Sequence, residues 1–65
     1  MQPHEQRVIE EKRELDEKLV RLSLFIGKDN IFKSLDSEDQ KLLIEQETIM
    51  VDYSGILAER IERFK

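Results

Sequence analysis

The sequence has no cysteine, one histidine, one proline and two glycines among its 65 residues. Without cysteine, neither a disulfide nor a thiolate metal site is available to stabilise so short a chain. A lone histidine argues against a transition-metal site within one chain. Gly27 and Gly55 stand far apart, which excludes a glycine-rich phosphate loop. No apolar run approaches the roughly 18 residues of a membrane span. No signal-peptide pattern opens the chain. The expectation is a soluble cytoplasmic protein with no membrane partner. There is also no basic stripe: charged residues make up 40% of the chain and the net charge is −4, which argues against a DNA or RNA partner. No nucleophile sits in a catalytic context, because Ser23, Ser34, Ser37, Thr48 and Ser54 all have helix, cap or loop explanations. The expectation is therefore no enzymatic activity, no catalytic residue, no metal and no cofactor.

What is present is helical patterning on either side of one connector. From Pro3 to Ile26 runs a stripe of Val8, Lys12, Leu15, Leu19, Leu22 and Ile26, spaced 4, 3, 4, 3 and 4. That is the seam of a helix packed lengthwise on another helix. Pro3 suits the first helical position, Glu5 favours the positive end of the helix dipole, and Gly27 is a usual stop. The prediction is a helix over about residues 3–26, a connector over 27–36 with one helical turn near Ile31–Leu35, and a second helix over about 38–64. Asp29 or Asn30 suits the cap of the short turn, and Ile31, Phe32 and Leu35 would plug that end of the hairpin. Ser37 with Gln40 fits a capping box for the second helix. Arg60, Arg63 and Lys65 stand at its far end, where positive charge is favoured. The fold class read from this pattern is all-α: one domain, an antiparallel helical hairpin that assembles into a symmetric oligomer.

Oligomerisation follows from two features. A lone 65-residue hairpin comes out near zero net stability when about 1.5 kcal/mol is charged for ordering each residue. The second helix also has more apolar surface than one partner covers. Its main stripe is Leu42, Leu43, Ile49, Met50, Tyr53, Ile56, Leu57, Ile61 and Phe64. A separate seam, Ile44, Thr48, Val51, Gly55 and Ala58, repeats at 4, 3, 4 and 3. A glycine in a helix interior costs about 1 kcal/mol relative to alanine. Close approach of a helix from another chain accounts for it.

The charge is uneven. Residues 1–33 carry seven basic and seven acidic groups, and residues 34–65 carry four and eight, so an anion site draws on the first half. Beside the apolar seam of the first helix runs a row of His4, Arg7, Glu11, Glu14, Lys18, Arg21 and Phe25. Arg7 with Glu11, and Glu14 with Lys18, stand four apart and fit surface ion pairs; the other reading makes the basic groups the lining of a pocket between chains. Lys12 inside the seam fits a register-setting residue, a stem laid flat with its ammonium in solvent, or a ligand contact. His4 fits an exposed ring or a stacking and hydrogen-bonding role. Tyr53 fits the core or a surface on which a ligand ring stacks.

At PHEQRVIEEKRELDEKLVRLSLFI, then IFKSL, then YSGILAERIERF, the chain resembles the phage anti-CBASS sponge family of short helical phage proteins. The resemblance implies a symmetric homo-oligomer, a hexamer, in the host bacterial cytoplasm. It implies binding of cyclic di- and trinucleotide second messengers, which are kept from host immune effectors without being cleaved. Phosphates need basic partners and bases need a stacking surface. His4, Arg7, Lys18 and Tyr53 are the residues expected to supply them. The reading from another class is a small structural or adaptor protein that binds a protein partner through its helical faces.

Overall fold

A computed structural model describes residues 2–64, and Lys65 lies outside them. Three helices follow one another: α1 over Pro3–Lys28, α2 over Asn30–Ser34 and α3 over Ser37–Glu62. No strand occurs among the described residues. The chain is all-helical, and α1 and α3 form an antiparallel hairpin closed by α2. The register is fixed by three cross-helix contacts at successive heights: His4 with Phe64, Lys12 with Ser54 and Ser23 with Glu47.

Each helix end has a local cause. The backbone N–H of Gln2 donates to the Glu5 carboxylate at 2.8 Å, and Pro3 occupies the first helical position. Gly27 does not stop α1. It takes helical geometry, and the chain breaks at the extended Asp29, whose side chain accepts from the Ile31 N–H at 2.8 Å. A carboxylate that caps the next helix sets the break more firmly than glycine's freedom. Likewise Asp36, not Ser37, caps α3, accepting from the Asp39 N–H at 2.9 Å. Gln40 turns away from the expected capping box. Its amide donates to the carbonyls of Phe32 (3.1 Å), Lys33 (3.3 Å) and Leu35 (2.9 Å), where the end of α2 exposes backbone acceptors; the Phe32 carbonyl also accepts from the Leu35 N–H at 3.1 Å.

The paired face of α1 is the expected stripe, extended at its start by the half-buried Glu5. The paired face of α3 is narrower than the apolar arc. It runs Gln40, Leu43, Glu47, Met50, Ser54, Leu57 and Ile61, and is continued by Phe64 just past the helix end, all buried or half-buried. The alternating steps of 3 and 4 make it a regular seam, three of whose positions are polar. Leu57 is fully buried, with Val8 at 6% exposure and Phe32 at 8% completing the core. Phe32 and Leu35, three apart, turn inward together. Ile31 faces outward instead of plugging the hairpin end.

The molecule is a rod of 46 × 15 × 14 Å with a radius of gyration of 14.7 Å, against about 11 Å for a compact chain of this length. Its accessible surface is 5118 Å², where a folded monomer of this mass averages about 4,400 Å². Two long helices cannot enclose a core between them, so large apolar side chains stay outside: Leu42, Ile49, Tyr53 and Ile56 on one flank of α3, Ile44 and Val51 on the other, and Val20 and Leu24 on α1.

Candidate functional site

Around an α-helix, successive side chains turn by about 100°. Measured from the paired seam, Arg7, Lys18 and Phe25 of α1 point to one side of the hairpin. Leu42, Ile49, Tyr53 and Ile56 of α3 point to the same side, because the two helices run in opposite directions. The His4–Phe64 contact, with ring centroids 6.4 Å apart and an interplanar angle of 80°, lies on this side. The opposite side carries Ile9 and Val20 of α1 and Ile44, Thr48, Val51 and Gly55 of α3. The Ser23 hydroxyl donates to Glu47 across its border at 2.6 Å.

Arg7, Lys18 and Tyr53 therefore share one face, and all three are exposed. Arg7 and Lys18 are eleven positions apart, about 16 Å along the axis. Tyr53 precedes Ser54, which is level with Lys12 and Asp16, so its height falls between the two cations. His4 stands at the end of the same face with its ring against Phe64. The four residues are strung along the rod and do not converge within one chain. Among the described residues neither Arg7 nor Lys18 enters an ion pair. The pairs on α1 are Lys12–Asp16, Arg13–Glu10 and Arg13–Glu17, in place of the Arg7–Glu11 and Glu14–Lys18 pairs that the spacing suggests. Arg13 is thus matched by two carboxylates. The hydrogen bond it donates to Glu10 foremost, then the charges of Glu10 and Glu17, raise its pKa further.

The residues of the second seam also lie on the surface. Ile44, Thr48, Val51 and Gly55 are exposed and Ala58 is half-buried. A Cβ added at Gly55 meets nothing within 4 Å, so no contact within the chain requires a glycine there.

Two polar arrangements go beyond the sequence reading. Lys12 does not simply lie flat toward solvent. Its ammonium donates to Asp16 Oδ2 at 2.7 Å and to the Ser54 hydroxyl at 3.2 Å, while Ser54 donates to Asp16 Oδ1 at 2.5 Å. The three groups close a ring across the α1–α3 seam. The hydrogen bond from Lys12 first, and that from Ser54 second, hold the Asp16 carboxyl below the usual carboxylate range. The signal was present as a lysine at a seam position with an aspartate four residues on, but Ser54 is 42 positions from Lys12. The second arrangement is an open hollow of about 450 Å³ lined by Arg21, Leu24, Phe25, Lys28 and Asp29. Among the described residues no three His, Cys, Asp or Glu side chains form a group able to hold a metal ion, and no helix is long and apolar enough to cross a membrane.

A family model described as Sequestin matches residues 2–63. No curated protein and no solved structure matches the chain. The chain belongs to the Sequestin family.

Proposed function

We propose that this Sequestin-family chain binds and sequesters cyclic di- and trinucleotide second messengers without cleaving them, and so blocks host antiphage immune signalling. The observation that carries the reading is the face bearing Arg7, Lys18 and Tyr53: two exposed cations with no ion-pair partner among the described residues, and an aromatic ring at a height between them. Guanidinium and ammonium groups pair with phosphates, and an aromatic ring offers a stacking surface for a base. The family's name describes sequestration, the activity assigned here. The net charge of −4 does not oppose this, since the potential at a site is set by the charges beside it.

The reading needs no catalytic residue and no cofactor. It places the protein in the host bacterial cytoplasm as a homo-oligomer, the hexamer that the family resemblance implies. Groups spread about 16 Å along one rod reach a ligand with two or three phosphates when a second chain brings its own copies alongside. His4, at the end of the same face, adds a polar ring to such a shared site. The exposed apolar side chains of α3 supply the surface for assembly.

Calorimetric titration with cyclic di- and trinucleotides tests the reading. Arg7→Ala and Lys18→Ala are each expected to weaken binding about tenfold, the loss of one charge-assisted hydrogen bond. The bound nucleotide should be recovered intact by chromatography. Two cations and a tyrosine recognise phosphate and base, not the linkage between them, so pyrophosphate-linked nucleotides belong in the same panel. Absence of heat across the panel overturns the reading. It would favour the second one, a structural or adaptor protein, which the bare Leu42, Ile49 and Ile56 flank supports.

A further inference from the structure

The hollow near the C-terminal end of α1 lies farther round that helix from α3 than Arg7 and Lys18 do. Arg21 and Lys28 are seven positions apart, two helical turns or about 10 Å, and both line it, with Leu24 and Phe25 in the turn between. Neither cation enters an ion pair among the described residues. The position of Lys28 in the last turn is explained by the helix dipole; that of Arg21, two turns earlier, is not. Asp29 stands at the rim. Its Oδ1 accepts from the Ile31 N–H at 2.8 Å, which ties the carboxylate to capping α2 and leaves Oδ2 without a hydrogen-bond partner among the described residues. Phe25 is held edge-to-face against the buried Phe32, with centroids 5.9 Å apart at 86°, so the apolar wall is fixed in place. Leu24 beside it is 51% exposed.

We infer that this hollow is a nucleoside monophosphate site. The ring of the ligand lies on Phe25 and Leu24, its phosphate sits between Arg21 and Lys28, and Asp29 Oδ2 accepts from an amino or hydroxyl group. Two cations against one carboxylate leave a lining charge suited to a single phosphate. A guanidinium offers that phosphate paired donors, and stacking on the wall is tolerant of which base is presented. The inference rests on reading the chain as a nucleotide binder, but it uses different residues.

The test is an amide-resolved NMR titration of the full chain with adenosine 5′-monophosphate, and separately with inorganic phosphate. The nucleotide is expected to give saturable shifts over residues 21–29 and to bind more tightly than phosphate. Arg21→Gln with Lys28→Gln is expected to weaken it at least about tenfold, the size of one charge-assisted hydrogen bond, while Lys41→Gln, at an exposed cation of α3 outside both sets of residues, leaves it unchanged. Both substituted side chains are exposed, and an unaltered melting curve verifies that the double variant folds. No saturable shift over 21–29, equal affinity in the double variant, or phosphate binding as tightly as the nucleotide each overturns the inference. If the monophosphate binds here while cyclic di- and trinucleotides give no heat, the hollow stands and the proposed function falls. If cyclic nucleotides bind and only Arg7→Ala or Lys18→Ala weakens them, with no shifts over 21–29, the function stands and the hollow falls.

Discussion

The Ser54 hydroxyl donates to Asp16 Oδ1 at 2.5 Å and accepts from the Lys12 ammonium at 3.2 Å, so one small side chain on α3 joins two oppositely charged residues on α1. Its neighbours along the α3 seam are apolar: Met50 four positions before it and Leu57, fully buried, three positions after. A slip of the hairpin by one turn would part Ser54 from both partners and leave polar groups facing leucines, so the ring specifies register as well as adding stability.

Removing one member of that ring leaves the others short of a partner. Asp16→Ala is expected to cost about 1–3 kcal/mol, the penalty for stranding polar groups. The lower end applies, because the Asp16 side chain is 42% exposed and solvent reaches it. Ser54→Ala should cost less, since Lys12 and Asp16 still meet at 2.7 Å. Urea unfolding followed by circular dichroism measures both; equal and negligible shifts in midpoint would show that the ring carries no stability.

Acid should act through the same carboxylate. The folded chain holds Asp16 below the usual range, whereas an unfolded aspartate titrates near pH 3.9. A depressed folded value means that the contribution is complete above the unfolded value and is lost as pH falls through the folded one. Asp16→Asn should therefore lie furthest from the parent protein in stability at neutral pH and approach it as pH falls below about 3.9 toward the depressed folded value. Parallel stability curves for the two proteins between pH 3 and 7 would contradict the assignment.

Leu57 has no exposed surface. Leu57→Ala is expected to cost about 2–5 kcal/mol, a large loss for a hairpin whose own net stability is small. Circular dichroism should show a melting transition at much lower temperature or none. The matched control is Leu42→Ala on the bare flank of the same helix, which should leave the folding of the single chain nearly unchanged.

Gly55 separates the chain's own stability from its assembly. Open space surrounds it within one chain, so Gly55→Ala should stabilise α3 by about 0.5–1 kcal/mol. If another copy packs on Ile44, Thr48, Val51, Gly55 and Ala58, Gly55→Leu should lower the mass seen by light scattering while the helix remains intact. An unchanged multimer, or a parent protein that is monomeric at micromolar concentration, would remove the case for that seam.

Much of the fold was legible because α-helices announce themselves by spacing. The Val8–Ile26 stripe of α1 is one unbroken alternation of 3 and 4, and its lone charged member, Lys12, breaks chemistry without breaking period. The candidate face was legible in part. Arg7 and Lys18 stand out as basic groups beside a seam, and Tyr53 as the one tyrosine. That the three share a side depends on which face of α3 meets α1. Hydropathy does not reveal that face, because Gln40, Glu47 and Ser54 occupy seam positions that a polarity pattern assigns to the surface.

The amino-acid sequence by itself determined the two long helices, the capped break between them and an excess of apolar surface, since these follow from local propensity and period. Only the tertiary structure decided how the wide apolar arc of α3 divides. Leu43, Met50, Leu57, Ile61 and Phe64 went to the hairpin, while Leu42, Ile49, Tyr53 and Ile56 were left bare. The reason is physical. Two polar members of the seam gain a partner only in that register: Ser54 from Lys12 and Asp16, and Glu47 from Ser23. Those partners lie too far along the chain for any local pattern to show.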